Sequence, residues 1–235
     1  MVRELTAGVL DALRGAAYLA RNPTLLKYVV GPAIVVALLG ALLFGWVLAI
    51  VGAIGLVGWT SLAIACATVI AAIAMLISGP FNEMLSEAIE ERESGVTPPA
   101  FDAVRFLGEV AVSIAHAIRR GFAHVVFLVG LLIVARFVPV IGAWLAAIGS
   151  GWVAARFASY AAYDAVWGRK QWRYRDKTAY LRGDRWRTLG LGAVVGAMFA
   201  VPGINVIGLA IGSAGATLRI LRTDAINQRA SRTPR

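Results

Sequence analysis

The chain is laid out in apolar blocks separated by short charged stretches, and the longest block sets the architecture. From Tyr28 to Asn82, fifty-five residues pass without one Asp, Glu, Lys, Arg or His. As a helix rising about 1.5 Å per residue, that run would reach about 80 Å, whereas about 20 apolar residues cross the hydrocarbon of a bilayer. The block therefore predicts two crossings. Gly52, Gly55 and Gly58, followed by Trp59, Thr60 and Ser61, mark the fold-back, since small, interfacial and hydroxyl residues replace the aliphatic string there. Helices are expected near 28–51 and 61–82. The competing reading, a buried hairpin of a soluble protein, is disfavoured because such helices keep a polar face.

Flanking periodicities predict shorter elements. Over residues 4–20, Leu5, Val9, Leu10, Leu13, Ala16, Ala17 and Ala20 fall on one helical face, with Glu4, Asp11 and Arg14 off it. Such a helix is too polar to span. It is expected at the membrane interface, with packing on a cytoplasmic domain as the alternative. Pro23 ends it and suits the first turn of the next helix. Beyond the main block, Glu83, Glu87 and Glu91 share one face of a charged helix, read either as a solvated face or as carboxylates presented to a cation. The run Ser94-Gly95-Val96-Thr97-Pro98-Pro99 stops that helix. Residues 100–124 then read as an amphipathic helix ending in Arg119-Arg120.

Two further apolar segments, Val125 to Ala155 and Leu189 to Leu218, are each broken by proline, and they repeat. A shift of sixty-three residues places Val138-Pro139 on Val201-Pro202, Ile141 on Ile204, Ala147-Ile148-Gly149-Ser150 on Ala210-Ile211-Gly212-Ser213, and Arg156 on Arg219. Each arm holds about 12 to 16 residues, about 18–24 Å of helix against a hydrocarbon of about 30 Å. The arms fit half-membrane hairpins whose Pro139 and Pro202 tips face protein or a pathway; one kinked full span per repeat is the alternative. Charge favours hairpins. Lys plus Arg number four in 1–27, four in 83–124, nine in 156–187 and five in 219–235, and none in the turns at 52–61, 139–142 and 202–205. Hairpins put all four basic stretches, and both termini, on the cytoplasmic side.

Composition agrees: 59% of residues are hydrophobic and 15% charged, with a mean hydropathy of +0.74. The net charge of +10 follows from cations retained on one side of a membrane, and no nucleic-acid recognition module is visible. The single cysteine, Cys66, falls in the second expected span and can form no intramolecular disulfide. Charges at Arg3, Asp11 and Arg14 interrupt any signal-peptide core, so the first span is expected to direct insertion. Arg169-Lys170-Gln171-Trp172-Arg173-Tyr174-Arg175 alternates cations with aromatics, as interfacial anchors do; a vestibule that gathers anions is the alternative. Arg136, just before the first hairpin tip, is either a functional intramembrane arginine or a snorkelling one. His116 and His124 lack metal-ligand companions. Ser150 and Ser213 have no histidine in any apolar segment to act as base, so an intramembrane enzyme is disfavoured. No nucleotide-binding loop and no cofactor site is expected.

The residues Pro80-Phe81-Asn82-Glu83-Met84-Leu85-Ser86-Glu87, Val201-Pro202-Gly203-Ile204-Asn205 and Ala214-Gly215-Ala216-Thr217, with the Thr-Pro-Pro turn at 97–99, make the chain resemble the CysZ sulfate transporters and the wider etoposide-induced membrane protein family. The resemblance covers nearly the whole chain. It implies an all-α integral membrane protein with two long transmembrane helices, two partly penetrating helical hairpins, and oligomeric assembly in the inner membrane. It also implies uptake of sulfate or a similar oxyanion for sulfur assimilation; the alternative within the family is a non-transporting membrane organiser or quality-control protein. Family members carry Pro-Gly, an aliphatic residue and two arginines where this chain has Pro23-Thr24-Leu25-Leu26-Lys27, so one guanidinium is absent and an ammonium replaces the other.

The segments are expected as one membrane domain: an amphipathic helix (1–22), a transmembrane hairpin (24–82), cytoplasmic helices (83–124), a re-entrant hairpin (125–155), a basic segment (156–187), a second hairpin (188–218) and a basic tail (219–235). Thr24, Leu25, Leu26 and Lys27 are the candidate anion site, through amides at a helix start and one cation. Lys27 as a plain positive anchor is the competing reading. Asn82, Glu83, Glu87, Arg119, Arg120, Arg136 and Asn205 are pathway candidates.

Overall fold

A computed structural model describes residues 1–50, 77–95, 139–170, 172–199, 201 and 204–232, together with Val126, Val129, Gly130, Ile133 and Phe137. The regular elements among them are all helical. Helix α1 runs Val2–Arg21, with Glu4 in its first turn and Arg21 in its last, each matching the sign of the helix dipole there. Asn22 leaves the helical region (φ −123°, ψ 74°), and Pro23–Leu25 form one 3₁₀ turn. Helix α2 then runs Lys27–Ile50, about 36 Å, enough for a crossing. Helix α3 occupies 77–94 and stops where Gly95 takes a φ of +67°. Helices α4 (Pro139–Arg169), α5 (Tyr174–Gly183), α6 (Arg185–Phe199) and α7 (Ile204–Arg232) complete the described chain.

Helix α4 runs unbroken from Pro139 past Ala155 to Arg169. The basic segment 156–187 is thus largely helical. In the second proline-broken segment, α6 ends at Phe199, Val201 bends, and α7 starts at Ile204. Gly208 abuts Met198 and Gly212 abuts Val195, so α6 and α7 form an antiparallel pair. The turn of the main block at 52–61, with Cys66, and the helix expected over 100–124 lie outside the described residues.

Two helices are long and apolar enough to cross a membrane, and their burial differs. The window 23–43 is 22% buried and the window 204–224 is 78% buried. Helix α7 is therefore central and α2 peripheral. Val30, Ile34, Leu38 and Leu42 leave α2 outward, as Trp144 (70% exposed), Ile148 (68%) and Trp152 (52%) leave α4. In water such stripes would be a liability; against acyl chains they are the correct surface.

Helix α1 packs on α6 and α7 by backbone contact. A Cβ on Gly8 would strike the Arg187 carbonyl and sit 2.8 Å from the Leu191 amide, and one on Gly15 would sit 2.6 Å from the Gly215 amide. Small residues buy this proximity, which suits membrane helices that gain little from apolar burial alone. The consequence reverses the face expected from periodicity. Gly8, Asp11, Ala12, Gly15 and Leu19 are buried, while Leu10 and Leu13 of the apolar face point outward.

Candidate functional site

The start of α2 is built from three segments. The Leu25 amide donates to the Asn22 carbonyl (3.0 Å) and the Leu26 amide to the Pro23 carbonyl (3.0 Å). Two of the amides expected to be free are thus used within the 3₁₀ turn. Leu25 is buried, and Thr24, Leu26 and Lys27 are exposed. The Lys27 ammonium lies 4.9 Å from the Tyr28 ring centroid, at the mouth of the turn. A cation that the sequence reading had not joined to this turn also arrives: Arg92, from α3, donates to the Thr24 hydroxyl (2.6 Å) and to the Asn22 side-chain oxygen (2.8 Å). Beside it, burial pushes the Tyr18 phenol up to about 12, helped by its hydrogen bond to Glu93. The start of the first span therefore holds one ammonium and one guanidinium.

A polar seam leads away from it between α3 and α7. Ser78, Asn82 and Ser86 recur every four residues on the buried face of α3, and Ser213 and Thr217 oppose them on α7. The Thr217 hydroxyl donates to the Ser213 carbonyl (2.7 Å) and lies 3.0 Å from the Ser86 hydroxyl. The Asn82 amide nitrogen donates to the Ser78 carbonyl (2.7 Å). Asn82 Oδ1, Ser78 Oγ and Ser213 Oγ are buried with no hydrogen-bond partner among the described residues. A buried polar atom normally has one, so these three leave the seam only partly satisfied among the described residues. From Ser86 to Ser78 the seam spans about 12 Å. Val206 packs on Val36 with Ile77 alongside, so the far end of the seam approaches the start of α7, where Asn205 accepts the Val206 amide (2.9 Å).

A third polar cluster fixes the helices around the seam. Asp11, 2% exposed, accepts from Arg187 through both oxygens (2.7 and 3.0 Å) and from Arg14 (3.1 Å). Arg219 approaches Asp11 at 4.0 Å, pairs with Asp184 and donates to the Tyr163 hydroxyl. The Asp11 hydrogen bonds raise the Arg187 guanidinium above its usual range despite partial burial. Burial pushes the Tyr163 phenol up, opposed by Arg219. Tyr163 stacks on Trp167 (5.2 Å, 19°), which stacks on Trp172 (6.0 Å, 14°). Trp172 and Tyr174, read from sequence as interfacial anchors, thus also border this aromatic cluster. None of Asp11, Asp184, Arg187 and Arg219 was legible as one group, because they come from three helices and a turn.

Among the pathway candidates, Asn82 lies in the seam. Glu83 turns towards Gly168 of α4, and Glu87 is partly buried; both hold polar partners. Asn205 lies at the far end. Arg119, Arg120 and Arg136 lie outside the described residues. Among the described residues no group of three His, Cys, Asp or Glu is placed to hold a metal.

An all-helical bundle with two membrane-length helices, outward apolar stripes and charges gathered into an inner junction is a membrane protein. A family model described as "Sulfate transporter CysZ/Etoposide-induced protein 2.4" matches residues 11–209, and the chain belongs to that family. Among curated relatives, a "Sulfate transporter CysZ" of Pseudomonas fluorescens strain Pf-5 is 28% identical over 158 residues, covering 62% of this chain and 58% of the relative. Another of the same name from strain SBW25 is 29% identical over 152 residues, covering 62% and 57%. A third, from Pseudomonas aeruginosa strain LESB58, is 27% identical over 158 residues, covering 65% and 61%. The matched chain thus spans less than two thirds of the length of these relatives.

Proposed function

We propose that this protein carries sulfate or a similar tetrahedral oxyanion across the inner membrane, in support of sulfur assimilation. The observation that carries the reading is the family match over residues 11–209, whose curated relatives are named sulfate transporters. The chemistry of the site supports it. Arg92 and Lys27 flank the Asn22–Thr24 turn with donors of the kind a sulfate accepts from, and a partly unsatisfied seam continues inward from there. On this reading the anion meets Thr24, Lys27 and Arg92, then passes Asn82 towards Asn205, while Leu25 and Leu26, their amides engaged within the turn, shape it without contacting the anion. The α6–α7 pair is a partly penetrating hairpin, an arrangement that its exposed Val201, Ile204 and Ile207 support. Segments at 125–155 form its repeat, all basic stretches and both termini are cytoplasmic, and copies associate in the bilayer.

Proteoliposomes holding the full chain, loaded with buffer and diluted into ³⁵S-sulfate, test this. Lys27→Glu is expected to abolish uptake while leaving insertion intact. Unchanged uptake would make Lys27 an anchor, and no uptake by the unmodified protein above empty liposomes would overturn the transport reading.

A further inference from the structure

The repeat pairs two arginines with opposite fates. Arg219 is 5% exposed and neutralised by Asp11 and Asp184. Its 63-residue counterpart Arg156 is partly exposed, and no carboxylate among the described residues pairs with it or with Arg182. Arg156 donates weakly to the Leu181 carbonyl (3.4 Å), which sets it beside Arg182, the next residue of α5. Two guanidiniums therefore share one surface without a compensating carboxylate among the described residues; loss of hydration on burial, then the Arg182 charge, hold the Arg156 guanidinium below its usual range. An anion between two such like charges would favour the charged form of both.

The surroundings say which anion. Arg156 extends the stripe Trp144, Ile148, Trp152 by one further helical turn, all at i, i+4 spacing on α4, and those three are among the most exposed apolar side chains of the molecule. The Arg156 guanidinium lies 5.9 Å from the Trp152 ring centroid. An exposed apolar track that ends in an aromatic ring and then in paired cations has the order of acyl chain, headgroup level and phosphate. A free oxyanion would use the cations and leave the track without purpose. We propose that Arg156 and Arg182 hold the phosphate of an anionic phospholipid whose acyl chains lie along Trp144, Ile148 and Trp152. This site is separate from the one assigned to transport, since it lies on α4 and α5 and not at the start of α2.

The full chain in nanodiscs of equal phosphatidylglycerol and phosphatidylcholine, released into native mass spectrometry, reads the bound lipid directly. Wild type is expected to retain phosphatidylglycerol over phosphatidylcholine. Arg156→Gln and Arg182→Gln should each cut that retention about fivefold, and Arg222→Gln, at an exposed position of α7, should leave it unchanged. Arg182 is exposed, so its variant reads the site even if Arg156→Gln fails to fold. Equal retention by wild type and Arg182→Gln overturns the proposal. So does displacement of the lipid by excess sodium sulfate with sulfate retained in its place, which would make the pair a soluble-anion site.

Discussion

Asp11 shows how far a single polar residue can be from its sequence appearance. On α1 it stands off the apolar face, yet it is buried and receives Arg187 and Arg14 while Arg219 stands near. Removing one partner of such a group leaves uncompensated buried charge, which costs about 3–5 kcal/mol. Asp11→Asn should therefore lower the melting temperature sharply, and adding Arg187→Gln should recover part of the loss; simple additivity of the two in thermal denaturation would sink the coupling. Tyr18 gives a pH test. Its phenol is raised from about 10 to about 12 in the folded protein, so the folded state holds the extra proton between those values. Its contribution is complete below pH 10 and is lost as pH rises through 12. Tyr18→Phe should flatten the alkaline limb of the stability profile over that interval, and an unchanged limb would show that Tyr18 does not set it.

Between helices, the α3–α7 seam can be glue or passage, and the two respond oppositely to one substitution. If Asn82 serves only to join helices, Asn82→Leu costs stability. If it serves an anion, replacing a half-satisfied amide with a similar apolar side chain is neutral or stabilising for the fold and severe for flux. A melting temperature held within about 2 °C, a shift worth at most about 0.5–1 kcal/mol, with sulfate uptake reduced at least tenfold is the expected outcome. Normal uptake would exclude Asn82 from the path. At this scale the sequence was informative where chemistry is local. Charge-free length announced α2, the break read at Pro202 falls between α6 and α7, and the repeat paired Arg156 with Arg219. It misjudged the buried face of α1, because hydropathy marks what avoids water and a membrane protein offers two such places, its interior and the lipid. Glycines decide between them here, since only a bare backbone lets α1 reach Arg187 and Gly215. Arg92 at Thr24 was invisible for a different reason: a contact between residues 68 apart leaves no local period.

At the scale of the whole molecule, the proposed topology puts all the basic stretches on one side. Single cysteines replacing Arg3, Ser94, Arg173 and Arg222, each in a Cys66→Ala background, should react alike with an impermeant thiol reagent in oriented membranes. Opposite labelling at 94 and 173 would refute the hairpin arrangement. The sequence suggests this topology because the spacing of cations is a property of composition along the chain; it could not carry the inner junction, which exists only once four segments meet.

That junction also imposes an order on manufacture. Asp11 leaves the ribosome 176 residues ahead of Arg187, a delay of about 10–35 s at ordinary elongation rates. Until then its carboxylate has only the half-exposed Arg14 of its own helix for a partner, and α1 must wait at the membrane surface, where its outward leucines can hold it. A nascent chain stalled before α6 should accordingly present an N-terminal helix that a protease can still reach, and the finished chain one that it cannot.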